Sequence, residues 1–178
     1  MRKGNFVKKE FFAIIFCVAF SVLFAFSGCS NSETSQRLSE DEYIEGLEYN
    51  FKEYSKTIST LFSALEYGVT EFEAIDPDRY EQEYQKAKTA LNNIAALTPP
   101  EEYSELDSKL KSGVSRELEY VESLNEYYSH NKNYPDLSEN DLSEMEMISE
   151  EIENIVSGDN IFAEAFSEIF TYYNSKTE

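Results

Sequence analysis

From residue 39 onward, apolar side chains recur at alternating intervals of three and four residues, and this spacing is typical of amphipathic helices. The first stripe consists of Ile44, Leu47, Phe51, Tyr54, Ile58, Leu61, Leu65, Val69 and Phe72. Ser39 followed by Glu42 forms a capping box, which marks a helix N-terminus. We therefore predict a first helix from Glu40 to Ile75. No segment alternates apolar and polar residues with period two, so no strand is predicted.

A second and a third helix follow from the same spacing. Asp76 and Pro77 supply an N-cap and a proline at the first helical position of the second helix, which ends near Leu97. The residue before a proline is pushed out of the helical region, so Pro99-Pro100 separates this helix from the next. The third helix is predicted to run from Pro100 to about Ser129.

The fourth helix is predicted after a polar loop from His130 to Asn140. Asp141 with Glu144 offers its cap, and residues 157–160 are a candidate break near Gly158. Amphipathic helices with short connections pack antiparallel. We therefore predict an all-α fold, an antiparallel up-down four-helix bundle whose fourth helix is either continuous or broken near Gly158.

The N-terminus has the pattern of an export signal. Met1 to Glu10 contains four basic residues, and Phe11 to Ser27 is apolar and uncharged. This run ends Phe26-Ser27-Gly28-Cys29, which resembles the lipobox of bacterial lipoproteins. The resemblance implies a signal peptide over residues 1–28, cleavage between Gly28 and Cys29, and a diacylglyceryl group on the Cys29 sulfur. The protein would then be lipid-anchored in the cell membrane, on its extracytoplasmic face.

An uncleaved signal anchor is the alternative, because 17 apolar residues are close to the lower limit of a membrane-spanning helix. In both interpretations the rest of the chain is tethered outside the membrane. Residues 30–39 contain one aliphatic residue and are otherwise polar, so we predict a flexible tether over residues 29–39 and a helical bundle domain over residues 40–178.

Composition narrows the classes of partner. After Cys29 the chain has 11 lysines and arginines against 34 aspartates and glutamates, a net charge of −23. Such a surface repels phosphate backbones, so we predict no binding to nucleic acid.

The only other cysteine, Cys17, lies in the apolar run, so the mature domain has no disulfide. The 13 tyrosines are expected to line the borders of the apolar stripes.

One segment within the helical domain carries a second resemblance. Leu97 to Leu110, LTPPEEYSELDSKL, resembles a pattern in small uncharacterised helical lipoproteins of Gram-positive bacteria. The resemblance implies a helix that opens at Pro-Pro-Glu and has Tyr and Leu on its buried face. Asp107 stands where many of these relatives are expected to have His. The pattern implies no catalytic residue.

The mature chain offers little catalytic chemistry. It has one histidine, no cysteine beyond the lipidated one and no Gly-x-Ser-x-Gly motif. His130 is expected near the C-terminal end of the third helix, where the helix dipole favours a cation, and we predict no metal site there. The acidic clusters are interpreted as solvated helix faces. We therefore predict no enzyme and no cofactor.

The favoured function is a non-enzymatic domain that binds an unknown envelope protein or a second copy of itself. At about 1.5 Å per residue the first helix is about 54 Å long and the second about 32 Å. The stripe of Tyr43, Ile44, Leu47 and Phe51 would therefore lack cover from the second helix, and it is the candidate partner face. The alternative for this stripe is that the fourth helix or a bend covers it. The alternative is a solute- or ion-binding lipoprotein with a pocket inside the bundle.

Three glycines are unfavourable in helix interiors, by about 1 kcal/mol each relative to Ala, and call for an explanation. Counting through the predicted turns places Gly68, Gly113 and Gly158 at one level of the bundle, with Tyr84 from the second helix. The first interpretation is a waist, where the missing side chains make room for Tyr84 or for close helix packing. The second is a small pocket with Asp159 and Asn160 at its mouth.

Overall fold

The fold is built from helices. The computed structural model describes residues 37–65, 76–132, 136–158 and 160–177, and these residues contain no strand. The helices are α1 (Glu40–Leu65), α2 (Pro77–Ala96), a 3₁₀ turn (Glu101–Tyr103), α3 (Ser104–Asn131), α4 (Glu139–Ser157) and α5 (Ile161–Thr177). The all-α prediction is confirmed. The predicted signal peptide, most of the tether and residues 66–75 of the predicted first helix lie outside the described residues.

Two helix starts follow the predicted caps. The backbone N of Ser39 donates to Glu42 Oε2 at 2.9 Å, and the backbone N of Glu42 donates to Ser39 Oγ at 3.3 Å, as in a capping box. At α2, the Asp76 carboxylate accepts from the backbone N of Asp78 at 3.0 Å. Both contacts satisfy N–H groups that have no partner within the first helical turn.

Two other starts differ from the prediction. The N-cap of α4 is Ser138 rather than Asp141: the backbone N of Asp141 donates to Ser138 Oγ at 3.1 Å, and the backbone N of Ser138 donates to Asp141 Oδ2 at 2.9 Å. The segment Ser138-x-x-Asp141 is itself a capping box, so α4 begins earlier than predicted. The third helix opens with the 3₁₀ turn, and its α-helical part begins only at Ser104.

The predicted fourth helix is divided at Gly158. Helix α4 ends at Ser157, Gly158 has extended backbone with φ −76° and ψ 172°, and α5 begins at Ile161. Asn160 caps α5 by accepting from the backbone N of Ala163 at 3.0 Å. The candidate break is therefore confirmed, and two shorter helices take the place of one.

Helix α3 occupies the centre of the fold, because it contacts α1, α2, α4 and α5. Residues 36–178 form a compact unit with this core. The largest fully buried side chains are Tyr43, Leu47, Leu61, Tyr80, Leu91, Ile94, Tyr103, Leu110, Val114, Val121, Leu124 and Ile169. None of the described helices is long and apolar enough to cross a lipid bilayer.

The last three residues of the predicted tether belong to the domain. Arg37 Nη1 donates to Ser104 Oγ at 3.0 Å and to the carbonyl of Pro99 at 3.4 Å. The backbone N of Leu38 donates to the carbonyl of Thr98 at 2.9 Å, and the Leu38 side chain packs on the core. An apolar and a basic residue of the predicted tether thus have partners at the α2–α3 connection.

Candidate functional site

A groove of about 500 Å³ lies between α1, α3 and the turn that joins α4 to α5. We call it the elbow groove. It is lined by Phe51, Tyr54, Ser55, Ile58, Ser59 and Phe62 from α1, by Gly113, Arg116, Glu117 and Tyr120 from α3, and by Ile155, Val156, Gly158, Asn160, Ile161, Phe162 and Ala163 around the turn. Its volume is in the range of about 300–1,000 Å³ that is typical of small-molecule sites.

Aromatic rings form the floor of the elbow groove. The buried Phe162 ring lies 5.8 Å from the ring of Tyr54, edge to face, and 5.8 Å from the ring of Phe51. Toward solvent, Phe62 and Val156 are exposed by 49% and 63%. Exposed apolar side chains next to a buried aromatic floor favour the binding of an apolar group.

Gly113 allows α5 to pack directly against α3. A Cβ atom at this position would lie 2.5 Å from the Cα and 2.6 Å from the backbone N of Phe162. No side chain fits at that distance, so the glycine fixes where α5 starts relative to α3. This contact holds Phe162 at the floor of the elbow groove.

Arg116 joins α3 to the end of α4. Its Nη2 donates to the carbonyls of Ile155 at 3.3 Å and Asn154 at 3.4 Å, two acceptors left open at the α4 C-terminus. A Cβ atom on Gly158 would lie 1.9 Å from this nitrogen. The glycine therefore leaves the space that the guanidinium occupies.

Glu117 is the acidic residue of the elbow groove. It is half-buried, and the Tyr54 hydroxyl donates to its Oε2. Burial raises the pKa of the Glu117 carboxyl above its usual range, and the opposing effects of the Tyr54 hydrogen bond and the Arg116 charge are smaller. Burial also raises the pKa of Tyr54, so its hydroxyl remains a donor. The groove thus holds a poorly hydrated carboxylate beside aromatic rings.

The predicted partner face is not a free surface. Tyr43 and Leu47 are fully buried and Ile44 is 6% exposed, while Phe51 is half-buried. The prediction that this stripe lacks cover is wrong, and the physical reason is the path of the last helix. The Phe51 ring stacks on Phe166 of α5 with centroids 4.1 Å apart. On the other side, the ring of Tyr43 lies 5.6 Å from that of Tyr103 in the 3₁₀ turn.

Two of the three glycines of the predicted level lie within the described residues. Gly113 and Gly158 both line the elbow groove, although Gly158 lies at the C-terminal end of α4 and not inside a helix. Tyr84 is not part of the groove lining. It is buried, and its hydroxyl donates to Glu122. The waist at Gly113 is therefore filled by the backbone of α5, and not by Tyr84.

The other residues of that prediction are Asn160, Gly68 and Asp159. Asn160 lines the elbow groove, as the pocket interpretation expected, and its side chain also caps α5. Gly68 and Asp159 lie outside the described residues. The same holds for the predicted lipidation and cleavage residues, Gly28 and Cys29.

Five tyrosine hydroxyls of the described domain donate to carboxylates. The pairs are Tyr43–Asp107, Tyr54–Glu117, Tyr84–Glu122, Tyr103–Glu40 and Tyr173–Asp41. Tyrosine suits such contacts because its ring is apolar and its hydroxyl can reach a charged group at the edge of the core. These contacts account for part of the high tyrosine content without a binding role.

Asp107 is the most buried of these carboxylates, with 4% of its surface exposed. It accepts from the Tyr43 hydroxyl at 2.9 Å and forms an ion pair with Lys111 Nζ at 2.8 Å. Lys111 also donates to the carbonyl of Leu97 at 3.1 Å. This network joins α1, α3 and the end of α2, which gives Asp107 a structural role.

His130 lies in the last turn of α3, as predicted. Its Nδ1 is 3.0 Å from Asp141 Oδ1 and its Nε2 is 3.0 Å from Glu144 Oε2, so the imidazole joins α3 to α4. The hydrogen bond with His130, followed by that with Ser138, lowers the pKa of Asp141 to about 2. In the described part of the chain, no group of three or more His, Cys, Asp or Glu side chains is arranged to hold a metal ion.

Sequence analysis did not identify Arg116 or Glu117, although the stripe of α3 contains a signal for Glu117. The buried residues Leu110, Val114, Val121 and Leu124 alternate strictly by four and three residues if position 117 is included, although Leu118 also fills this gap at intervals of four and three. A carboxylate at a core-facing position of a helix calls for a partner or a function. No comparable signal distinguishes Arg116 from other surface arginines.

Comparison with known protein families, characterised proteins and solved structures finds no match to this chain. The function is therefore argued from the elbow groove and from the N-terminal sequence pattern.

Proposed function

We propose that this chain is a lipoprotein, processed between Gly28 and Cys29 and anchored on the extracytoplasmic face of the cell membrane, whose helical domain is a non-enzymatic binding protein that uses the elbow groove. The observation that carries the binding role is the groove itself: about 500 Å³, open to solvent, and lined mainly by apolar and aromatic side chains. The buried stripe at Tyr43 to Phe51 offers no comparable surface.

We also propose that the helices follow an antiparallel, up-down course. An up-down course is supported by the pairing of α1 with α2, in which Gly46 faces Leu97 and Asn93 Nδ2 donates to Asn50 Oδ1 at 3.1 Å. Residues that come later in α1 thus meet residues that come earlier in α2, as in antiparallel neighbours. The short turn at Gly158 places α5 against α3 and closes one side of the elbow groove.

The anchoring part is tested at Cys29. In the full chain, Cys29→Ser is expected to abolish lipid attachment, because the serine hydroxyl does not replace the thiol, and the unprocessed precursor should accumulate. Incorporation of a labelled fatty acid and the mobility of the chain in gel electrophoresis measure both effects. Cys17→Ser is the matched control and should be lipidated like the native chain. Undiminished labelling of the Cys29→Ser chain would contradict the proposal.

The binding part is tested with Nile red, a neutral apolar dye whose fluorescence rises in apolar surroundings. The soluble chain Ser30–Glu178 contains the whole compact unit, so it is suited to this measurement. Ala163→Trp places an indole in the elbow groove and is expected to weaken dye binding at least about tenfold, because the apolar area that the dye would bury is already covered.

Tyr49→Trp is the matched control, since Tyr49 is exposed on α1 and does not line the groove. It should leave the affinity for Nile red unchanged. Equal binding by the native chain and the Ala163→Trp chain would show that the dye binds elsewhere, and dye that binds none of the three chains would contradict the proposed binding role.

A further inference from the structure

The two acidic residues on the buried stripe of α3, Asp107 and Glu117, differ in how their charge is balanced. Asp107 has Lys111 four residues later, on the same helix face, at 2.8 Å. The residue four positions after Glu117 is Val121, which is fully buried and carries no charge. Within the described residues, Glu117 forms no ion pair, and its one hydrogen bond comes from the neutral Tyr54 hydroxyl.

Arg116, the residue before Glu117, does not form an ion pair that balances the Glu117 charge. The guanidinium of Arg116 is used at the end of α4, where it donates to the carbonyls of Asn154 and Ile155. It is also the only basic residue among the described residues that line the elbow groove. Desolvation therefore remains the largest influence on Glu117, and burial raises the pKa of its carboxyl despite the nearby positive charge.

The rings around Glu117 suit a cation. Tyr54, Phe62, Tyr120 and Phe162 line the same groove as Glu117, and Tyr54 contacts its carboxylate. An ammonium group is attracted both to a carboxylate and to the faces of aromatic rings, whereas an anionic head group would meet the unbalanced charge of Glu117. The net charge of −23 after Cys29 adds a field that concentrates cations near the surface.

We infer that the elbow groove binds a small amphiphile with an ammonium head group, whose apolar part lies on the aromatic floor and whose cationic head pairs with Glu117. This inference rests on the proposed binding function and adds the charge of the ligand to it. The apolar contacts supply affinity for any apolar molecule, and Glu117 supplies selectivity for the cation. A groove of about 500 Å³ has room for a molecule of this size.

The test uses three probes that share one chain length and differ in charge: n-octylammonium, 1-octanol and n-octanoate. Each is titrated into the soluble chain Ser30–Glu178 at pH 7 and followed by isothermal titration calorimetry. We expect n-octylammonium to bind about tenfold more tightly than 1-octanol, because a hydrogen bond between two charged groups is stronger than one with a neutral donor, and we expect n-octanoate to bind most weakly.

Glu117→Gln keeps the shape of the side chain and removes its charge. It is expected to weaken n-octylammonium binding about tenfold and to leave 1-octanol binding within about twofold, so the preference for the cation disappears. The exposed Glu119→Gln on the same helix is the matched control and should retain the preference. The thermal midpoint of Glu117→Gln should equal or exceed that of the native chain, because burial disfavours the charge that it removes.

The possible results are distinguishable. Equal affinities of n-octylammonium for the native and Glu117→Gln chains would overturn the inference, and so would tighter binding of n-octanoate, which would make Arg116 the selective residue. No binding of n-octylammonium would also overturn it. Nile red bound in the groove without any preference for the cation would leave the proposed function standing and refute the inference alone.

Discussion

Gly113→Ala is expected to destabilise the domain by about 2 kcal/mol, even though alanine is the better helix former by about 1 kcal/mol. The added methyl group would lie 2.5 Å from the Cα of Phe162, and backbone cannot rotate away as a side chain can. Relief requires α5 to move away from α3, which opens the floor of the elbow groove. Denaturant unfolding measures the loss, and the thermal midpoint should fall by roughly 4–8 °C.

Gly46→Ala is the matched control for this prediction. A methyl group there would meet Leu97 Cδ2 at 3.2 Å, the end of a flexible side chain that can shift by a few tenths of an ångström. The gain in helix propensity should then leave stability unchanged or raise it by up to about 1 kcal/mol. If both variants behave alike, the close contact between α3 and α5 is not what requires Gly113.

Lys111→Met is expected to destabilise the domain by about 2 kcal/mol. Among the described residues, Lys111 is the only cation paired with Asp107, whose side chain is 5% exposed. Its removal leaves a buried carboxylate with the Tyr43 hydroxyl as its remaining described side-chain donor. This loss in the free energy of unfolding is smaller than the roughly 3–5 kcal/mol expected when a fully buried ion pair loses one partner. The Lys111 side chain is 37% exposed, so water can replace part of the contact. Denaturant unfolding at pH 7 measures it.

Lys109→Met gives a close comparison, because Lys109 is also 37% exposed and pairs with Glu164 and Glu168 of α5. Those carboxylates are 58% and 49% exposed, so they stay hydrated when the lysine is removed. We expect a much smaller loss for Lys109→Met than for Lys111→Met, since surface ion pairs contribute little. Similar losses would show that burial of the carboxylate does not control the energy of these pairs.

The boundaries of the helices were largely predictable, because they depend on residues close together in the chain. Ser39 with Glu42 and Asp76 with Pro77 mark two helix starts through contacts that span three residues or fewer. The start of α4 was misplaced because Ser138 and Asp141 form a second capping box directly before the predicted one. Two local capping signals overlap here, and the helix begins at the earlier one.

The candidate site was predictable only in part. Sequence analysis singled out Gly113, Gly158 and Asn160 by their unusual residue types, and all three line the elbow groove. Their relation to Tyr84 was wrong, because the count placed the α2–α3 turn at Thr98, whereas the pairing of Tyr84 with Glu122 and of Leu97 with Lys111 centres that turn several residues later. Glu117 was missed because, in a chain with 35 acidic residues, one more glutamate stands out only by its position on the stripe.

Sequence by itself determined that this domain is helical, where most of its helices begin, and which face of each helix is apolar. These properties follow from hydrophobic periodicity and from capping, both of which act within a few residues. Only the tertiary structure decided that the stripe from Tyr43 to Phe51 is covered by the 3₁₀ turn and α5, and that Glu117 faces a groove with no described cation paired to it. Such outcomes depend on helix directions and close contacts between residues far apart in the chain, and residue spacing does not encode these directly.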